Sequence, residues 1–113
     1  MSSDLDLVRG TLDLFILKTL TWGPMHGLAI LRWIEHVTDS GLQVEEGALY
    51  PALHRLEQKG LLDAEWGLTD ANRRAKYYRL TPRGRKEYAA RLATWERYTR
   101  VAAMVFSARG ASA

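Results

Sequence analysis

Two groups of side chains in this sequence have the chemistry to bind an anionic polymer. The first group shares one face of a predicted helix and comprises Ala48, Tyr50, Pro51, His54 and Arg55. The second group is basic, follows a turn-rich stretch, and comprises Arg73, Arg74 and Lys76. Arginine can bond guanine O6 and N7 or a phosphate, and tyrosine can donate to phosphate or pack on sugar. These residue types predict DNA contacts; a solvated helix face and a mobile basic loop are the alternatives.

Catalytic and metal-binding patterns do not occur in the sequence. There is no cysteine, and His26, His36 and His54 do not have the spacing of zinc ligands. No nucleophile elbow, phosphate-binding loop or HExxH pattern is found. The adjacent acids Glu45 and Glu46 precede the third predicted helix, where they complement the helix dipole. We therefore expect no enzymatic activity, no cofactor and no metal ion.

Charge is distributed unevenly along the 113 residues, although the net charge is only +3. Residues 1–66 contain 5 Lys and Arg against 10 Asp and Glu, a net charge of −5. Residues 67–113 contain 11 against 3, a net charge of +8. A basic half indicates an anionic partner, either nucleic acid or a lipid surface. A basic surface that meets only solvent is the simpler alternative.

Length and composition are typical of one soluble folded domain. Hydrophobic residues make up 47% of the chain and charged residues 26%. The longest apolar stretch, Leu12–Leu20, contains Asp13 and Lys18 and is too short to span a bilayer. The first residues are acidic, no secretion signal is visible, and the absence of cysteine fits a reducing compartment. We expect a cytoplasmic protein that does not enter membranes.

Helical spacing predicts two helices in the first third of the chain. The first runs from Leu7 to Trp22 and is apolar on nearly all sides, so it must be buried on two faces. Its main stripe comprises Val8, Leu12, Phe15, Ile16 and Leu20, with Leu7, Leu14 and Leu17 on other sides. The second runs from about His26 to Thr38, with a predicted core stripe of Ile30, Trp33, Ile34 and Val37. A second subunit is one source of the extra cover for the first helix.

The third predicted helix has one apolar face and one polar face. Its inward stripe comprises Leu49, Ala52, Leu53 and Leu56. The opposite face has no large apolar residue, which suits a helix that enters the DNA major groove. Pro51 leaves the start of this helix open. A first-turn proline would place the start near Tyr50, whereas a start at Glu46 would cost one backbone hydrogen bond.

A β-hairpin and a long helix complete the chain. The period-two stretches Leu62–Trp66 and Lys76–Leu80 predict two strands around a loop at residues 67–74. Thr81 and Pro82 begin a helix that could continue to Phe106, about 37 Å at 1.5 Å per residue. A heptad seam on this helix comprises Tyr88, Leu92, Trp95, Thr99, Ala102 and Phe106. The seam predicts packing on the helix of a second subunit, on the chain's own first helix at Leu14, or on both.

The order of these elements predicts a mainly α fold with a small β-hairpin. Residues 1–80 would form a winged helix-turn-helix domain that binds DNA, and residues 81–113 a C-terminal dimerisation helix and tail. The hairpin would then be the wing, with its cations over phosphates or in the minor groove. Trp95 would pack in the dimer core, or else line a pocket and stack on a flat ligand.

Several stretches resemble the PadR family of bacterial transcriptional regulators over roughly residues 8 to 100. The stretches are RGTLDLFILKTL, GPMHGLAIL, EEGALYPALHRLEQKGLL, RRAKYYRLTPRGR and the region of Trp95. The resemblance implies a winged-helix dimer that represses promoters and dimerises through its C-terminal helix, as in the short-form members. In some members, the dimer interface encloses a cavity for aromatic effectors. Two residues depart from the family pattern: Leu28 stands where tyrosine is usual, and Ala48 where serine or threonine is frequent.

We interpret the chain as a homodimeric DNA-binding regulator, most simply a repressor of a pseudo-palindromic operator. Two recognition helices would enter successive major grooves about 34 Å apart. A small aromatic effector between the first and last helices would alter that spacing and release the DNA. A winged-helix adaptor that binds protein, and a ligand-sequestering protein without an operator, are the alternatives.

Overall fold

The computed structural model describes residues 9–110, which form four α-helices and three short strands. In chain order these elements are α1 (Arg9–Thr19), β1 (Met25–His26), α2 (Gly27–Val37), α3 (Glu46–Gln58), β2 (Leu62–Leu68), β3 (Arg74–Leu80) and α4 (Pro82–Ser107). The predicted fold class, mainly helical with a small sheet in a winged-helix arrangement, is confirmed. Within residues 9–110, no helix is long and apolar enough to cross a membrane.

Helix α1 lies at the centre of the fold and is buried on more than one side. The apolar side chains of Leu12, Ile16 and Leu17 belong to the main core, as does that of Leu20 directly after the helix. Helices α2 and α3 pack against α1, and α4 packs against it as well. The two-sided burial that its composition requires is therefore supplied in part by the chain's own last helix. The helix gives way to a 3-10 turn at Leu20–Trp22, and the predicted start at Leu7 lies outside the described residues.

Helix α2 begins directly after His26, whose Nδ1 accepts a hydrogen bond from the Ala29 N–H at 3.2 Å. Its predicted core residues Ile30 and Ile34 are buried. The prediction for Val37 is wrong, because its side chain is 53% exposed. Val37 is the last residue of the helix, and the chain turns there through residues with positive φ. The returning segment buries two other side chains in the core, those of Leu42 and Val44.

Helix α3 begins at Glu46, so Pro51 lies inside the helix in its second turn. The proline has no N–H to donate to the Gly47 carbonyl, and the helix continues despite this missing bond. The predicted apolar stripe is confirmed, since its members are all buried: Leu49, Ala52, Leu53 and Leu56. Burial of this stripe outweighs the local cost of the proline.

The sheet has three antiparallel strands in the order β1-β3-β2. The hairpin strands are longer than predicted, because pairing extends from Leu62↔Leu80 out to Leu68↔Arg74. The loop is correspondingly shorter and is closed by a hydrogen bond from the Thr69 N–H to the Arg73 carbonyl oxygen at 2.8 Å. The third strand, β1, is only two residues long and pairs Met25 with Tyr78. We call residues 62–80, with both hairpin strands and their loop, the wing.

Helix α4 starts at a corner that is held by the Thr81 hydroxyl. This group accepts a hydrogen bond from the Gly84 N–H at 2.9 Å and donates one to the Gly60 carbonyl at 2.7 Å. Pro82 occupies the first turn, where no N–H is needed. The helix packs on the core through Tyr88 near its start, and Phe106 near its other end is 87% exposed. The helix ends at Ser107, one residue after the predicted end at Phe106. Its far half projects away from the core.

Replacement of Gly84 by alanine should destabilise the protein, because a Cβ at this position would overlap the Leu61 carbonyl oxygen. We expect the free energy of unfolding to fall by roughly 2 to 3 kcal/mol, since backbone must move. Gly47→Ala is the matched control, because Gly47 also lies in the first turn of a helix and has open space around it. Thermal and urea unfolding should separate the two variants; equal stability would contradict this account of the corner.

Candidate nucleic-acid interface

A concave groove of about 790 Å³ separates the helix-turn-helix from the wing. We call it the α3–wing groove; its charged and aromatic lining includes Arg32, Tyr50, Trp66, Arg73, Arg74 and Lys76. Helices α2 and α3 form one wall and the inner face of the wing forms the other. Of the first predicted group only Tyr50 lines this groove, whereas all three cations of the second group do. A cationic groove with aromatic walls suits a phosphate backbone.

The exposed face of α3 carries most of the first predicted group. Ala48, Tyr50, Pro51 and His54 are all exposed. The Tyr50 ring lies over Gly27 of α2, where an added Cβ would come within 2.8 Å of Cε1 and 2.9 Å of the hydroxyl oxygen. Glycine at position 27 therefore makes room for the ring at the entrance of the groove.

Arg55, the fifth member of that group, is turned toward α1. Its Nη2 donates a hydrogen bond to Oδ1 of Asp13 at 2.9 Å. The Asp13 side chain is only 8% exposed and that of Arg55 29%. This ion pair joins α3 to α1, so it uses at least one guanidinium donor that a base or phosphate would otherwise receive. The sequence contained a signal for this pair, because Asp13 lies inside the apolar stretch Leu12–Leu20 and a buried carboxylate needs a cationic partner.

The three predicted wing cations differ in their surroundings. Arg73 and Arg74 are exposed, and the guanidinium carbon of Arg74 lies 5.0 Å from the centroid of the Trp66 ring. The Lys76 Nζ donates to Oε1 of Glu57 at 3.0 Å, which ties the wing to α3. Sequence reasoning missed both Trp66 and Glu57, because strand register and helix rotation decide their positions.

The side chains of Lys76 and Tyr78 on the wing have raised pKa values. The hydrogen bond to Glu57 raises the pKa of Lys76 above its ordinary value of 10.5, so this ammonium is charged at neutral pH. Burial raises the pKa of the Tyr78 hydroxyl above its ordinary value of 10.0. The Lys76 ammonium lies 5.4 Å from the centroid of the Tyr78 ring. The inner face of the wing therefore carries the Lys76 ammonium, paired with Glu57, and the Arg74 guanidinium, with a neutral tyrosine beside Lys76.

A second cavity, of about 540 Å³, lies between α1 and α4 and is lined by Leu14, Trp95 and Tyr98 among others. Of the predicted seam, Tyr88, Leu92 and Ala102 are partly buried, whereas Trp95, Thr99 and Phe106 are exposed. Large apolar side chains outside the predicted seam are exposed as well: Tyr98, Val101, Met104 and Val105. The far half of α4 thus presents an apolar surface that is wider than the predicted seam.

The described residues bring no three His, Cys, Asp or Glu side chains together in a way that could hold a metal ion. His26, at the groove, instead caps α2 and packs edge-on against Tyr77, with ring centroids 5.4 Å apart.

Comparison with known proteins identifies similar chains. Residues 16–90 match the transcriptional regulator PadR-like family. A transcriptional regulator of Mycobacterium tuberculosis is 38% identical over 78 residues, which cover 68% of each chain. A transcriptional regulator from Clostridium thermocellum superposes with a TM-score of 0.76 at 36% identity, over 89% of this chain and 93% of its own. A PadR family regulator from Eggerthella lenta gives a TM-score of 0.74 at 31% identity, over 89% and 86%.

Removal of either partner of the Asp13–Arg55 ion pair should have unequal effects on stability. Arg55→Met leaves the buried carboxylate without a partner, and we expect the free energy of unfolding to fall by roughly 2 to 3 kcal/mol. Asp13→Asn keeps an oxygen acceptor and leaves Arg55 free to reach solvent, so we expect a loss of about 1 kcal/mol or less. Urea unfolding of the two variants measures the difference; a larger loss for Asp13→Asn would contradict it.

Proposed function

Because this chain belongs to the PadR-like family of transcriptional regulators, we propose that it represses transcription by binding a pseudo-palindromic operator as a homodimer. The observation that carries this proposal is the α3–wing groove, which brings Tyr50 of α3 together with the wing cations. Family membership supports DNA binding, and the cationic lining of the groove supports this surface as the one that would meet the DNA. The protein would act in the cytoplasm.

In this proposal, the exposed face of α3 enters the major groove. Tyr50 and His54 would face base edges or sugars near the start and middle of the helix. Arg73 and Arg74 at the end of the wing would bind phosphates or enter the adjacent minor groove, where narrow A·T tracts attract arginine. Arg55 would contribute mainly by holding α3 against α1 through Asp13. Lys76 would keep part of its charge for the DNA, because its pair with Glu57 is partly exposed.

The proposed homodimer uses the apolar far half of α4. Several large apolar side chains remain in water there, which is typical of a surface that packs against another protein. Two copies joined along α4 would place their α3 helices in successive major grooves, about 34 Å apart.

A small aromatic effector is the proposed regulator of this dimer. The α1–α4 cavity presents the rings of Trp95 and Tyr98 beside the apolar side chain of Leu14. Flat ligands stack favourably on such rings. A ligand between α1 and α4 would change the angle of α4 and therefore the distance between the two α3 helices. Release of the operator would follow from that change in distance.

Duplex DNA binding should depend steeply on salt, and the wing should account for part of that dependence. We expect Arg73→Ala/Arg74→Ala to weaken binding to the gene's own upstream region, with a salt slope shallower by about two units, roughly one for each phosphate contact. Arg97→Ala/Arg100→Ala removes the same charge from exposed positions on α4 and should leave the slope nearly unchanged.

Fluorescence anisotropy of labelled duplexes at several salt concentrations measures these slopes. Preference for the upstream duplex over random DNA would support the operator. An absence of binding even at low salt would reject the proposal and favour the protein-binding adaptor.

The oligomeric state should respond to charge on the proposed interface. Ala102→Glu places a carboxylate on the apolar side of α4 and should shift the protein toward monomer. Ala93→Glu is the matched control, because Ala93 is exposed and lies about 180° around the helix from Ala102 at 100° per residue. Sedimentation velocity distinguishes the species; a dimer that survives Ala102→Glu unchanged would place the interface elsewhere.

A further inference from the structure

We propose that Trp66 is a positioning residue of the DNA interface, which holds the Arg74 guanidinium on the inner face of the wing in the orientation that meets a phosphate. The inference rests on the proposed function, since it assumes that the α3–wing groove binds DNA. It assigns a role to an aromatic residue that neither charge nor helical spacing distinguishes in the sequence.

Strand register places the two side chains on the same face of the wing. Trp66 pairs with Lys76, and Leu68 pairs with Arg74, so Trp66 and Arg74 are diagonal neighbours on adjacent strands. Side chains alternate along a strand, and therefore Trp66, Arg74 and Lys76 share one face. This face lines the α3–wing groove. The guanidinium carbon of Arg74 lies 5.0 Å from the centre of the Trp66 ring, within cation–π range.

Burial shows that Trp66 is not a core residue. Its side chain is 59% exposed, whereas Tyr78 farther along the same face is buried. A tryptophan left in water at the mouth of a groove contributes little to the packing of the fold. Its contact with the Arg74 guanidinium therefore gives the best account of its position.

The means by which Arg74 is held differs from that of nearby cations. Arg55, Lys76 and Arg79 each form an ion pair with a carboxylate, which offsets part of the positive charge of each side chain. Arg74 lies beside an aromatic ring, which attracts the cation but carries no net charge of its own. A guanidinium held in this way keeps its full positive charge, and its planar N–H donors remain available for a phosphate.

The Trp66–Arg74 pair also restricts the Arg74 side chain before DNA binds. A long arginine side chain loses rotamer freedom when it binds a phosphate, and that loss weakens binding. A ring that already restricts Arg74 reduces the loss at the moment of binding. Trp66 should thus raise DNA affinity without touching the DNA.

The test is a double-mutant cycle on duplex binding, with Trp66→Leu, Arg74→Ala and the double variant. Leucine keeps an apolar side chain on the strand but removes the ring face, and Trp66→Phe restores a ring. We expect Trp66→Leu to weaken operator binding about three- to fivefold, which is within the range of the ordering cost of one long side chain, with Trp66→Phe close to wild type. In the Arg74→Ala background, Trp66→Leu should have almost no further effect.

The matched control is Trp22→Leu. Trp22 is 73% exposed and has Lys18 at 5.1 Å from its ring, so it forms the same kind of pair outside the α3–wing groove. Its loss should leave DNA affinity unchanged. Equal weakening by Trp22→Leu, or a Trp66→Leu effect that persists in full without Arg74, would overturn the inference.

A measurement without DNA separates this inference from the proposed function. The ring current of Trp66 should shift the side-chain proton resonances of Arg74 in the free protein, and Trp66→Leu should abolish the shift. Absence of the shift in the wild type would overturn the inference even if DNA binds. A clear shift in a protein that binds no duplex would reject the proposed function, and with it the role of the pair in DNA binding.

Discussion

The fold depends on the burial of α1, a helix whose apolar side chains point in nearly every direction. Helices α2 and α3 must cover one side of it, and α4 covers part of another. Asp13 lies within this buried helix and is the one acidic side chain buried among the described residues. Its need for a partner is met by Arg55, which fixes α3 against α1. The Asp13–Arg55 ion pair thus adds to the buried apolar stripe of α3 in fixing which face of α3 meets solvent.

Much of the fold was predictable because the spacing of apolar residues along the chain indicates which face of a helix or strand is buried. The stripe from Leu49 to Leu56 identified the inner face of α3, and the Thr81–Pro82 pair identified the start of α4. Periodicity could not decide whether Pro51 begins or interrupts α3, because tertiary burial outweighs one missing hydrogen bond. It also gave no sign of β1, since two residues are too few to show a period.

The candidate site was predictable as a set of residue types but not as a set of contacts. Exposed positions on α3 and cations on the wing could be identified from helical spacing and turn residues. The pairs Arg55–Asp13 and Lys76–Glu57 join positions 42 and 19 residues apart, and only the folded chain brings them together. Such pairs matter because they reduce the charge available to a polyanion. A count of basic residues therefore overstates the number of cations that are free to bind.

Helix α4 extends from the corner at Thr81, so a small rotation at this corner produces a large movement at the far end of the helix. One hydroxyl bonds both the turn after α3 and the first turn of α4, so hydrogen bonds connect the two helices at this junction. A helix of 26 residues is about 39 Å long, and tilting it by about 5° about this junction moves its far end by about 3 Å. By the same geometry, a contact that fixes the tip of α4 within about an ångström fixes the orientation of α3 within a few degrees. The length of α4 therefore determines how precisely a contact at its tip fixes the orientation of α3.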